Sequence, residues 1–403
     1  MKSLYSLCYK NTLVLITFLF SGIYISAQSI QEYKQEALAN NSELQALKTG
    51  HRIDEVVAKQ KISWGNTEVS SGYFINNPGI VDGDVQAVVG ISQPVPILGY
   101  LKKQKKIAQV QKEKNGHILE VFQKKFFLKL ERLYYKLYEH KAKIRILKKQ
   151  LDVVDQYMDT LQVDSTQNLQ VTRLMLQVEK NEVQNAIELL KGSLLNEEAN
   201  FNVMLGRDGF EALVIPDNLY LPEEEPTLLL EDITYHPEMM TFDLEEKLYE
   251  DRIQLDTHKK TVALSLGLDY FIIDENTNLT GNNSQDFIMP KATFSFPVFS
   301  GVSKTKREAL LLTQEKNSFD KTTTQIKLEN LLNSAVNNRI TARISLNAYQ
   351  EIIDELKKLS SVLENSSIKS KYDSERKITA YKIKKIEAIT SYFQQTAVLN
   401  YLQ

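Results

Sequence analysis

The 403-residue sequence balances 49 lysines and arginines against 51 aspartates and glutamates, and 42% of it is hydrophobic. With 15 glycines and 9 prolines it is no low-complexity or disordered chain. The near-neutral charge, with no basic patch interleaved with aromatics, gives no reason to expect nucleic acid as a partner.

The first 27 residues read as a targeting segment. Lys2 and Lys10 precede the apolar run LVLITFLF (Leu13–Phe20), and small residues lead to a cleavage expected after Ala27. The run is shorter than the roughly 20 apolar residues a membrane span needs. Cys8, the only cysteine, lies before the apolar run and does not resemble a lipid-attachment site. An exported chain starting near Gln28, without thiol chemistry, is expected.

From Ser29 to Ile62 the pattern is helical. Asn66–Ile75 then alternates, with Val69, Tyr73 and Ile75 on one face. After the loop NPGIVDG a second strand sets Val85, Ala87, Val89 and Ile91 against Asp84, Gln86, Gly90 and Ser92. Each strand has about ten residues, the length of a tilted transmembrane β-strand. From about Tyr100 the period becomes helical. Leu130, Leu133, Leu137, His140, Ile144, Leu147, Leu151, Val154, Met158 and Leu161 form a sustained heptad seam. Lys102-Lys103 and Lys105-Lys106 read as a solvated face of this helix. VDSTQN interrupts it, and a second helix ends at Leu205, with a seam through Leu176, Val183, Ile187, Leu190, Leu194 and Phe201.

The stretch 206–230 reads as an irregular linker, after which the order repeats. YHPEMMTF mirrors NNSELQAL. Leu264, Leu266, Leu268 and Tyr270 alternate with Ser265, Gly267 and Asp269. A polar loop follows, then a strand ending FSFPVFSG. The last long helices carry a seam through Leu332, Ala335, Ala342, Leu346, Tyr349, Ile353, Leu356 and Leu363, with a break near 365–374. The sequence thus divides into a leader (1–27), a first repeat (28–205), a linker (206–230) and a second repeat (231–403).

Four strands with one apolar and one small or polar face suit a membrane barrel better than a soluble sandwich, for which they are too few. They cannot close a barrel alone, since the smallest have about eight strands. Several copies are needed, because lipid forbids open strand edges. At the junctions ISQPVPILG and FSFPVFSG, Pro94, Pro96 and Pro297 are expected to end ladder pairing. Gly99 and Gly301 would allow an unusual backbone angle that redirects strand into helix.

These pieces in this order resemble the TolC-type outer-membrane efflux proteins over essentially the whole mature chain. The resemblance rests on NSEL and HPEM, the two strand–Pro–Gly junctions, FNVMLGRD and the duplication, and PILGY is similar to the heavy-metal-efflux branch. It implies a mainly α fold with a small transmembrane β part: a homotrimer with a twelve-stranded barrel, four strands per chain, continuous with a periplasmic α-helical tunnel. It also implies an adaptor protein, an inner-membrane transporter and the outer-membrane bilayer as partners, and no cofactor.

Family hairpin tips often carry a Tyr-x-x-Gly turn, and the tips LQVDSTQN and ENSSIKSKYDSERK have no glycine. YDSERKI aligns with the family's Leu-Asp-Ala-x-x-x-Leu stretch, which puts Asp373 at an acidic position of the entrance, with Asp159 and Asp164 as alternates.

No catalytic chemistry is legible. The five histidines are scattered without metal-ligand spacing, His140 on a seam reads as packed and hydrogen-bonded, and Met239-Met240 reads as core. No phosphate loop, nucleophile elbow or metalloprotease helix occurs, so an enzyme is not expected. Two classes remain: a passive duct, as in a tripartite efflux or type I secretion system, and an exported coiled-coil structural or surface protein. Only the first explains the strands.

Overall fold

The structure, a computed structural model, describes residues 29–59, 65–75, 84–96, 99–161, 167–222, 233–259, 263–274, 285–295, 301–363 and 368–403. The expected leader, Pro297 and Asp164 lie outside them.

The chain order is α1 (Ile30–Asn40), α2 (Ser42–Lys59), β1 (Glu68–Tyr73), β2 (Asp84–Val95), α3 (Tyr100–Thr160) and α4 (Gln167–Leu205). It continues with α5 (Pro237–Lys259), β3 (Ala263–Asp274), β4 (Phe287–Ser295), α6 (Gly301–Val362) and α7 (Ile368–Leu402). The single helix expected over Ser29–Ile62 is two. Asn41 leaves the helical region (ψ 119°), its side chain caps α2 by accepting from the Leu44 N–H at 3.0 Å, and the chain turns there. No helix among the described residues is long and apolar enough to cross a membrane.

Two compact units share these elements. One takes the described residues within Met1–Gln45, Phe126–Pro226 and Ser334–Tyr401. Its core follows the heptad seams: Leu130, Leu137 and Val154 of α3 and Phe201 of α4 are fully buried. Val183 and Ile187 pack with Ile144. His140 is buried on the seam as expected, but its Nδ1 makes no hydrogen bond among the described residues. Its Nδ1 lies 3.1 Å from Glu197, whose charge Lys136 already shares at 2.5 Å. Burial therefore outweighs Glu197 and Glu139, with Lys136 and Lys143 opposing protonation as well, and holds the His140 pKa below its ordinary value. The unfolded chain protonates first as pH falls, so the stability from neutral His140 is complete above about 6.5 and is lost on acidification through the folded pKa. Melting temperature should decline between about pH 7.5 and pH 5, and decline less in His140→Gln. Identical pH slopes would contradict this assignment.

In the same unit α1 is bound to the end of α4. Asn41 Nδ2 donates to the Met204 carbonyl at 3.0 Å, Glu36 and Arg207 form a two-pronged ion pair, and Tyr33 meets Phe201 edge-on at 5.1 Å. Gly206 closes α4 at φ +77°, with Gly206 N–H to Val203 and Arg207 N–H to Asn202. This is a Schellman cap.

The other unit takes the described residues within Ala46–Lys125 and Thr227–Asn333 and holds the sheet. Here α3 packs on α5 through Ile107, Val110, Leu244 and Leu248. The lysines of α3 do not form a merely solvated face. Lys103 bonds Gln254 at 3.2 Å, Lys106 bonds Asp251 at 2.7 Å and Lys114 bonds Glu245 at 3.0 Å, while Lys125 bonds Glu238 at 2.5 Å. Basic residues along one helix meet acceptors running backwards along the other, which fixes the pairing register.

Candidate functional site

The sheet has the order β1-β2-β3-β4, antiparallel throughout, with β1 and β4 as edges. Register puts Val69, Ile91, Leu268 and Pro290 opposite one another, and Val89, Tyr270 and Ile288 likewise. Directly paired residues share a face, so one apolar row from each of the four strands lies on the same side. They are uncovered: Val69 is 72% exposed, Leu266 and Leu268 50%, and Phe294 62%. Exposed apolar area on this scale marks a surface made for another molecule or for lipid.

The other face carries Ser70, Gly90, Asp269 and Lys291. Lys291 Nζ lies 2.6 Å from Asp269, and a Cβ on Gly90 would collide with the Asp269 carboxylate and Ser70 Oγ. Gly267 is equally confined, its Cβ falling 2.6 Å from the Ile91 carbonyl. A β-bulge at Gln86, between Val85 and Ala87, departs from simple alternation. Val85 pairs with Ile273 and is buried, so it joins the face of Asp269 and not that of Val89. Phe271 stacks on Phe287 at 4.7 Å on that same face.

The junction residues divide. Pro94 does not end pairing: it lies inside β2 opposite Ser265, and the ladder runs to Val95. A proline fits there because β1 has already ended opposite Ser92, leaving that side of β2 an edge. Gln93 extends the contact by its side chain, donating to the Gly65 carbonyl at 3.4 Å. Pro96 is the first residue past the strand. Gly99 has φ +88° with no described atom within 4 Å of where a Cβ would stand, so among the described residues it is the backbone angle that demands glycine before α3. Gly301 is the first residue of α6.

Near the hairpin ends, Val154, Leu161, Leu176 and Tyr372 form one cluster that draws together the end of α3 and the starts of α4 and α7. Tyr157 meets Tyr372 edge-on at 5.7 Å. Asp373 lines a cavity of about 200 Å³ there, between α4 and α7. The sequence reading missed its neighbours: Lys369 and Arg376 line the same cavity, and Arg376 lies 3.8 Å from Glu179. Spacings of four and three residues on a helix put both cations on the Asp373 face, so this was legible in KSKYDSER. Asp159 is exposed near the end of α3 and does not line the cavity. No cluster that could hold a metal exists among the described residues.

No protein-family profile matches the sequence, and no curated protein matches it. Solved structures match its fold. The open-state Neisseria gonorrhoeae MtrE outer-membrane channel aligns with a TM-score of 0.75 at 12% identity, over 93% of this chain and 88% of that one. CusC, studied for the changes that accompany folding and transmembrane channel formation, gives 0.74 at 13% identity over 94% and 92%. The Campylobacter jejuni CmeC outer-membrane channel gives 0.73 at 12% identity over 93% and 85%. The element order, the four-stranded sheet and these alignments agree: the chain has the fold of the TolC-type outer-membrane channels.

Proposed function

We propose that the protein is one subunit of a homotrimeric outer-membrane duct, passively conducting substrates that an inner-membrane pump delivers with a periplasmic adaptor. The carrying observation is the sheet, with an uncovered apolar face and two open edges, in a chain otherwise built of long helices. An even number of strands, antiparallel throughout, lets the β4 edge of one copy pair antiparallel with the β1 edge of the next. Three copies of four strands supply twelve, enough to close a barrel and remove every edge. The helices support the same reading. Met175 and Leu189 are exposed on α4, two heptads apart, and Leu312, Phe319 and Ile326 are exposed on α6, one heptad apart. Such seams want a partner helix.

Mass measurement of the detergent-purified protein should give a trimer, and planar bilayers should show discrete conductance steps. A stable, non-conducting monomer would refute the proposal.

The entrance is proposed at Asp373, with Asp159 and Asp164 as the alternates. Threefold symmetry repeats each carboxylate three times around the axis, and a ring of charge at a narrow opening attracts cations. Lys369 and Arg376 offset part of that field. Asp373→Asn should therefore lower cation selectivity modestly and relieve block by multivalent cations, most visibly at low salt. Unchanged selectivity and block would leave Asp373 as an ordinary surface residue.

A further inference from the structure

A second cavity, of about 610 Å³, is lined by residues of α3, α4 and α7 and is well within the size of small-molecule sites. Its polar lining is Lys129, Arg132 and Lys136 from α3, Asn200 from α4, and Gln394 and Gln395 from α7. The three cations stand at i, i+3 and i+7, so they share one helix face over roughly 10 Å. Among the described residues no carboxylate lines the cavity. Nearby Glu197 is engaged by Lys136, and among the described residues Lys129 and Arg132 have no ion pair. The floor is apolar, with Leu133 beside Val203, the latter strongly exposed.

Two cations and three amides without a partner among the described residues, over an apolar floor, make a complementary pair of subsites. We propose that this groove binds a small amphiphilic organic anion, its carboxylate, sulfonate or phosphate held by Lys129 and Arg132 and its hydrocarbon body laid on Leu133 and Val203. Arginine offers a planar two-pronged donor to such a head group, and lysine adds a point charge. The amides of Gln394 and Gln395 can take further acceptor oxygens. This site does not depend on the duct reading, because its ligand is defined by the groove's own chemistry.

The test is isothermal titration of the full-length, amphipol-stabilised protein with sodium octanoate. Saturable binding is expected, weakening as salt is raised. Octanol, equal in length but uncharged, and inorganic phosphate, charged but without a body, should each bind at least about tenfold more weakly. Arg132→Ala should weaken octanoate binding about tenfold and Arg132→Glu abolish it. Lys149→Ala, an exposed lysine of α3 outside the groove, should leave it unchanged. Absence of saturable binding, octanol binding as tightly as octanoate, or Arg132→Glu without effect would each overturn the proposal. Conductance of the same preparation is read separately, so failure here leaves the duct reading standing.

Discussion

Leu266→Arg is expected to destabilise the assembled protein in lipid by about 2–4 kcal/mol per chain, while Ser265→Arg, its neighbour in β3, costs much less. The two positions share strand, depth and backbone environment and differ in the face they occupy. Leu266 pairs with Gln93 and Ala292 on the exposed apolar side, and Ser265 pairs with Pro94 and Thr293 on the side of Asp269 and Lys291. A guanidinium facing hydrocarbon must be dragged to the interface or leave the barrel strained, whereas one in a water-filled lumen stays hydrated. Gly267 is unsuitable for the comparison, because any side chain there meets the Ile91 carbonyl whatever its polarity. Urea unfolding of the refolded variants in phospholipid vesicles reads the difference. Equal loss for both substitutions would mean that neither face is set against lipid.

The period-2 and heptad patterns were legible because each is a repeated burial demand, and a repeated demand survives local exceptions. The seam residues Leu130, Leu137, Val154, Leu176 and Phe201 are all buried, and the strands pair as the alternation requires. Exceptions of one residue were not legible. Nothing in DVQAVVG marks Gln86 as the bulged residue, yet that insertion moves Val85 to the opposite face. Pro94 looked like a strand terminator because a proline forbids one hydrogen bond, but whether that bond existed depended on where β1 stopped. The lysines of α3 were read from one helix only, and their acidic partners on α5 lie more than a hundred residues away. Asp373 was picked out as a charge without the field of Lys369 and Arg376, which line the same cavity. Pairing across the sequence, not local pattern, decided each of these.

FNVMLGRD shows the same limit, since resemblance marked the motif without saying what it does. Asn202 supplies the carbonyl that closes the cap on α4 and donates from its side chain to the Glu211 carbonyl at 2.7 Å, while Arg207 holds Glu36 of α1. Gly206 between them carries two constraints. Its φ of +77° lies where an L side chain is strained, and a Cβ would fall 2.6 Å from the Asn40 carbonyl oxygen and 2.8 Å from its carbon. Among the described residues Gly99 carries only the first constraint, with φ +88° and no described atom near. Gly99→Ala is therefore expected to cost about 1–2 kcal/mol, the price of a left-handed residue with a side chain. Gly206→Ala adds the displacement of backbone at the α1–α2 turn, where overpacking costs a further 1–3 kcal/mol or so, for a total of about 2–5 kcal/mol. Because Asn41 next door both caps α2 and donates to Met204, that displacement should also loosen α1 from α4. Hydrogen exchange of the α2 first-turn amides, Leu44 above all, should accelerate in Gly206→Ala and stay native in Gly99→Ala. If the two alanine variants lose the same stability and leave Leu44 equally protected, the close approach of Asn40 to Gly206 contributes nothing beyond the backbone angle.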